Sequence, residues 1–355
     1  MLHCSTLSYI YTLLRGYMMT LFEPIEISGN QGDVRTESAP SARPRRFARA
    51  KGGRRLALAL QGGGSFGSFT WGVLDRLLDA DLELDMVSGT SAGALNAVLL
   101  ADGLAEGGPE AAKRKLRHFW KRVSEVAPLP VPTRAIELTT AFMSPYQFNP
   151  LGLNPLRDLL QAEVDFERLR EVRPLPLLIA ATRVSDGRLR LFREDEITLD
   201  SVLASCCLPR LHHAVEIDGE AYWDGGFSAN PPVRQLAIET SADLILLVQL
   251  LAEHAGGTPR RGAEITQRLS GIAFNEPLLK ELEALDDLRA VCKEQKVMRS
   301  KLCRKILRLR LQRITAESAV QGLGDHSPLH ADWPLLTRLH DAGAAAADGW
   351  LAAQA

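Results

Sequence analysis

Apolar residues first gather without polar interruption at Leu56-Ala57-Leu58-Ala59-Leu60. A short run with no alternation fits a strand buried on both faces of a parallel sheet. From Phe69 to Leu78 the period changes, and Val73, Leu74, Leu77 and Leu78 fall on one side of a helix. Leu84 to Val87 reads as a second short strand, and Ala92 to Leu100 as a nearly all-apolar, buried helix. Strand, helix, strand, helix predicts an α/β domain.

Glu110 to Glu125 predicts a basic helix, and Pro128, Pro130 and Pro132 after it mark a loop or lid. Leu156 to Leu160 opens another helix. Leu177 to Ala181 predicts a buried strand that pairs with Leu189 to Phe192 across an Asp186-Gly187 turn. Asp218-Gly219 inside Ile217 to Trp223 is a second hairpin signal. Leu244 to Leu250 is another apolar strand, Glu276 to Lys305 a long charged helix, and Pro334 to Ala353 an Ala-rich closing helix. Ile306 to Ile314 alternates apolar and basic residues and predicts an edge strand. There is no internal repeat and no linker signal after residue 55.

Before Leu56 the pattern is different. Gly29 to Arg55 is polar, carries Pro40, Pro44 and a cluster of arginines, and predicts a flexible, solvated leader. Leu7 to Leu14 is apolar, but Arg15 cuts the run too early for a bilayer span. Met18 and Met19, just beyond, are alternative translation starts to Met1. The expected division is a flexible basic segment over 1–55, one α/β domain over 56–320, and a helical extension over 321–355 packed on it.

Composition narrows the classes. The net charge of -1 gives no electrostatic reason to expect a nucleic-acid partner. Five irregularly spaced cysteines with no C-x-x-C pair argue against a zinc site or disulfide framework and for a reducing, cytoplasmic setting. No metal or cofactor is expected. Oligomeric state is not legible.

Two glycine-rich turns carry the candidate chemistry. Gly62, Gly64 and Gly67 satisfy G-x-G-x-x-G between a strand and a helix, the setting of a dinucleotide pyrophosphate site, and Asp81, Glu83 and Asp85 fall near the spacing of a ribose contact. The next turn, Gly89-Thr90-Ser91-Ala92-Gly93, is G-x-S-x-G between a strand and an apolar helix, the setting of a nucleophile elbow. A dinucleotide site has no need of an exposed serine there. A serine nucleophile needs a base. His212 and His213 lie beside Pro209 and read as structural or surface residues. Asp224 follows a hairpin arm and precedes Gly225 and Gly226, which places its carboxylate at a sharp turn.

Together these pieces resemble the patatin-like phospholipase family: a glycine-rich oxyanion motif at Gly62-Gly63-Gly64-Ser65-Phe66-Gly67, an elbow at Gly89 to Gly93, and an Asp224-Gly225-Gly226 turn. Ala204-Ser205-Cys206-Cys207-Leu208-Pro209 matches a further A-S-x-x-x-P feature, and Ser144 to Pro150 is similar to a feature of a bacterial branch. The resemblance covers about Leu56 to Leu250. It implies a three-layer α/β/α fold with a mostly parallel central sheet. It implies a serine acyl hydrolase without catalytic histidine: Ser91 as nucleophile, Asp224 as base, and Gly62, Gly63 and Gly64 as oxyanion donors. Gly67, Gly89, Gly93, Gly225 and Gly226 would shape the elbow and turns. The implied substrate is a lipid ester, with peripheral membrane contact left open. A non-phospholipid ester such as a storage polyester, a dinucleotide-binding oxidoreductase and a catalytically silent lipid-binding protein stand as alternatives. Phe66 departs from the Arg or Lys that many members carry, which leaves head-group preference open.

Overall fold

Along β1 (Arg55–Leu60) the side chains alternate between leucine and alanine, and the two sets enter different cores. Leu56, Leu58 and Leu60 pack on one face of the sheet, and Ala57 and Ala59 on the other; all five are buried. That two-sided burial is why the run lacks polar alternation. The computed structural model describes residues 55–80, 82–126, 142–253, 257–294, 300–321 and 328–354. The expectations for the leader, for Met18 and Met19, and for the Pro128 to Pro132 loop lie outside the described residues.

In chain order, β1 is followed by α1 (Gly67–Asp79), β2 (Glu83–Thr90), α2 (Ala92–Gly107) and α3 (Pro109–Val126). Short helices α4 (Pro145–Phe148), α5 (Pro155–Glu163) and α6 (Phe166–Val172) lead to β3 (Leu177–Arg183) and β4 (Leu189–Arg193). Then come α7 (Leu199–Ser205), the hairpin β5 (Val215–Ile217) and β6 (Glu220–Asp224), α8 (Val233–Glu239) and β7 (Leu244–Gln249). The chain closes with α9 (Gly262–Glu294), α10 (Lys301–Arg308), β8 (Arg310–Thr315), α11 (Glu317–Gln321) and α12 (Trp333–Ala352).

Among the described residues the strands form one eight-stranded sheet, ordered β5-β6-β3-β2-β1-β7-β8, with β4 also paired to β3. From β3 to β8 the pairings are parallel; β4 and β6 run antiparallel to β3, and β5 antiparallel to β6. On one face α1, α2, α3 and α12 bury Leu74, Leu99, Phe119 and Leu336 against the sheet. On the other, α8, α9 and α10 contribute Leu236, Leu282 and Ile306. This is a three-layer α/β/α fold with a mostly parallel sheet.

Two elements differ from the pattern reading. The long helix begins at Gly262 rather than Glu276 and ends at Glu294, and a separate helix, α10, follows Ser300. Ser300 caps α10 by accepting from Cys303 N, a stop-and-start that charge alone does not reveal. The last strand is shorter than Ile306 to Ile314. Ile306 to Arg308 are helical, and β8 pairs with β7 only from Arg310. Its apolar and basic alternation is real, but a helix turn claims the first three positions. Among the described residues no helix is long and apolar enough to cross a membrane.

Candidate active site

Parallel strands end at one edge of a sheet, so the turns after β1 and β2 emerge side by side. Leu60 pairs with Gly89, which puts the glycine loop level with the elbow. A Cβ on Gly62 would lie 2.8 Å from both Ser91 Cβ and the Thr90 carbonyl oxygen. Glycine is therefore required where the two turns touch.

Ser91 itself sits at φ 53°, ψ -124°, a backbone region that a serine adopts at a cost of about 1–3 kcal/mol. It begins α2 immediately, and its carbonyl accepts from Leu95 N at 3.0 Å. Gly93 passes so close to Leu60 that any side chain would strike the Leu60 carbonyl, and a Cβ on Gly89 would meet the Gly93 carbonyl oxygen at 2.6 Å. The elbow is thus a crossing of three backbones, not merely a sharp turn.

Asp224 ends β6 opposite Ala181 and is fully buried. Its Oδ1 accepts from Gly226 N at 2.8 Å, whereas Oδ2 has no hydrogen-bond partner among the described residues. Gly225 has no room for a side chain against the Ala180 carbonyl, nor Gly226 against the Phe274 ring. Burial pushes the Asp224 carboxyl up to about 7 from an ordinary 3.8; the Gly226 N–H and the nearby Ser91 hydroxyl oppose the shift and lose. The hydroxyl is close enough to favour the charged carboxylate, yet no hydrogen bond of standard geometry joins the two side chains.

The Ser205 segment joins nucleophile and carboxylate. Ser205 Oγ accepts from Ser91 N at 2.9 Å, and the Cys207 carbonyl accepts from Asp224 N at 2.8 Å. Cys206 lies between these contacts. Burial, and secondly the Asp224 charge, push its thiol well above the usual range and push Cys207 up to about 12. Both remain neutral thiols, so neither competes with Ser91 as a thiolate.

The glycine loop is held from three sides. Gly62 N donates to Asn230 Oδ1 at 2.7 Å, and Asn230 Nδ2 donates to the Phe274 carbonyl at 2.9 Å. Buried Gln61 accepts from Leu250 N at 2.7 Å and Leu251 N at 2.9 Å. Ser65 N donates to the Pro328 carbonyl at 2.8 Å, which crowds Gly64 at φ +58°. The Gly62 N–H is therefore committed to Asn230. Gly63 N and Gly64 N have no acceptor among the described residues. Phe66 is buried, and a Cβ on Gly67 would lie 2.7 Å from Ala92 Cβ. Position 66 thus serves the core.

No histidine among the described residues hydrogen-bonds to Ser91 or Asp224. His213 stacks on Tyr146 with ring centroids 4.1 Å apart, and its Nε2 lies 3.2 Å from the Pro145 carbonyl oxygen. His212 is held below its ordinary value by burial and by His213. His340 bonds Asp75 and Asp341. Of the acidic residues at ribose spacing, Asp81 lies outside the described residues, and Glu83 and Asp85 sit elsewhere. Asp85 lies toward the start of β2, at the opposite end from Gly89, and accepts from Thr240 and Ser241. Sequence spacing placed it near the glycines; strand direction does not. Asn230 was not anticipated, although a polar amide followed by Pro231-Pro232 so soon after Asp224-Gly225-Gly226 was the available signal.

A family model described as patatin-like phospholipase matches residues 58–237, just over half of the chain. An uncharacterised Escherichia coli protein, YjjU, is 27% identical over 209 residues, covering 54% of this chain and 51% of that protein. Human patatin-like phospholipase domain-containing protein 6 is 29% identical over 189 residues, 53% of this chain and 13% of its own. The chain therefore spans about half or less of the length of these relatives. The crystal structure of VipD from Legionella pneumophila aligns over 84% of this chain and 66% of its own, at 14% identity and a TM-score of 0.40. A likeness that low adds nothing to the argument from the chain's own topology.

Proposed function

The chain belongs to the patatin-like phospholipase family, and on that premise we propose that it is a serine acyl hydrolase of lipid esters working through Ser91 and Asp224. The observation that carries the reading is the pairing of a strained, elbow-mounted serine with a buried carboxylate whose Oδ2 is left without a partner. A buried, unpaired carboxylate oxygen is costly, and an arriving hydroxyl proton relieves it.

In the proposed cycle the ionised Asp224 accepts the Ser91 hydroxyl proton as Oγ attacks the ester carbonyl. The oxyanion forms beside Gly63 N and Gly64 N, while Gly62 N keeps Asn230 and with it the shape of the loop. Loss of one such donor typically costs about 2.7–4 kcal/mol. Protonated Asp224 then returns its proton to the leaving alcohol, and water repeats the sequence on the acyl-enzyme. A carboxylate at an ordinary 3.8 is a poor base; one raised to about 7 is matched to neutral pH.

The test is hydrolysis of p-nitrophenyl butyrate and of a labelled phosphatidylcholine by the full chain, Ser91→Ala and Asp224→Asn, each checked for native circular dichroism. Both variants should lose about 10³-fold or more on both substrates. Undiminished activity in folded Ser91→Ala would overturn the assignment. Preference for the small ester over the lipid would favour a general esterase.

A further inference from the structure

The first half of α9 presents the wrong face to solvent. Ile265, Leu269 and Ile272 stand at i, i+4 and i+7, one stripe of a helix, and are 43%, 62% and 43% exposed. Phe274 points the other way. It packs on Phe227, ring centroids 4.7 Å apart, and against Gly226. Asn275 beside it lies 3.4 Å from Gln61 of the glycine loop. The helix therefore walls the candidate site with one side and shows an apolar stripe on the other.

The charges around that stripe have one sign in excess. Between residues 257 and 280, Arg260, Arg261, Arg268 and Lys280 stand against Glu264 and Glu276, four positive against two negative, and Glu276, one turn beyond Ile272, pairs with Lys280. Arg261 and Arg268 fall on the stripe's own flank at helical spacing, and Glu264 accepts from Arg260 N and Arg261 N and lies 3.7 Å from Arg261 Nε. Past Pro277 the same helix reverses character. Leu278, Leu282 and Leu285 turn into the core, and Glu283, Asp286 and Asp287 join the exposed side.

The geometry points to the stripe Ile265-Leu269-Ile272, flanked by Arg261 and Arg268, as a docking face for an anionic lipid surface. An apolar stripe edged by arginines is the amphipathic pattern that settles at a bilayer interface, and the excess positive charge complements acidic head groups. The stripe lies about one helix diameter, about 10 Å, from the wall formed by Phe274. What the docked surface delivers rests on the acyl-hydrolase reading; the docking itself does not.

The experiment is co-sedimentation of the full chain with vesicles of phosphatidylcholine alone and of phosphatidylcholine with phosphatidylglycerol. Beside it stand p-nitrophenyl butyrate hydrolysis in solution and sedimentation velocity without lipid. The unmodified chain should prefer the anionic vesicles. Arg261→Gln/Arg268→Gln should weaken that binding about 30-fold, at about 1 kcal/mol per charge. Ile265→Ser/Leu269→Ser/Ile272→Ser should weaken binding to both vesicles by about tenfold or more. Neither variant should change hydrolysis of the soluble ester. No vesicle binding by the unmodified chain, or equal binding by the triple variant, would overturn the proposal. So would a dimer that the triple variant dissolves, since a second copy would then cover the stripe. Failure to hydrolyse the soluble ester would count against the catalytic reading alone, because sedimentation judges docking separately.

Discussion

At Asp224, burial raises the carboxyl while the Gly226 N–H and the Ser91 hydroxyl pull it down, and burial prevails at about 7. With no cation or second backbone donor beside it among the described residues, the carboxylate stays basic. An inflection in the ordinary carboxylate range, the expectation from residue type alone, therefore gives way to one near neutrality. That lies close to imidazole, so pH dependence by itself does not distinguish Asp224 from a histidine, and variants of His212 and His213 become necessary controls. Asn230 is the other decisive residue. Asn230→Ala leaves the Gly62 N–H buried without its acceptor, at a cost of about 1–3 kcal/mol. Urea unfolding should register that loss, and kcat on p-nitrophenyl butyrate should fall with it. Unchanged stability and kcat would remove Asn230 from the account. Ser91, Asp224 and the glycines were legible in sequence because each is a local turn with a side-chain preference. The commitment of Gly62 N to Asn230 was not, since it joins residues on separate turns of the sheet edge.

Among elements, the parallel strands announced themselves, because burial on both faces removes alternation from β1, β3 and β7. The first half of α9 did not, because it carries its apolar residues outward and the helix's core contacts begin only near Phe274. Its start at Gly262 therefore has no inward-facing period to reveal it. The closest helix contact was also illegible. α12 crosses α1 where Gly72 meets the His340 carbonyl and Gly343 meets the Phe69 carbonyl, with no space for a Cβ at either. Trp71 buries its ring between Trp333 and His340 at the same crossing. Gly343→Val forces these backbones apart and should destabilise by about 1–3 kcal/mol, read as a lower calorimetric Tm. A Tm equal to that of the unmodified chain would show that α12 is held by other contacts.

For the whole molecule, the buried acid has a stability consequence as well as the proposed catalytic one. Asp224 holds its proton to about 7 in the folded chain, whereas the unfolded chain releases it near 3.8. Between those values the folded state binds more protons, so this group's contribution to stability is full below about 4 and is lost as pH rises to about 7. Subtracting the Asp224→Asn unfolding curve from that of the unmodified chain should isolate the decline. A flat difference across that range would mean that the carboxyl is not raised. The arrangement follows the stability–activity opposition expected of a working site, in which a strained Ser91 and an unpaired carboxylate oxygen are tolerated by a large core on either side of the sheet.

The most direct test of the Ser91–Asp224 pairing is the rate of fluorophosphonate labelling followed by intact-mass and peptide mass spectrometry across pH 5 to 9, a span of about two units either side of the raised carboxyl. One adduct should form, on Ser91, with a rate that rises through a single inflection near 7 and then levels. Asp224→Asn should abolish that inflection and slow labelling about 10³-fold, while His212→Ala and His213→Ala should leave it in place. Labelling at another residue, or an inflection that disappears with either histidine, would contradict the dyad.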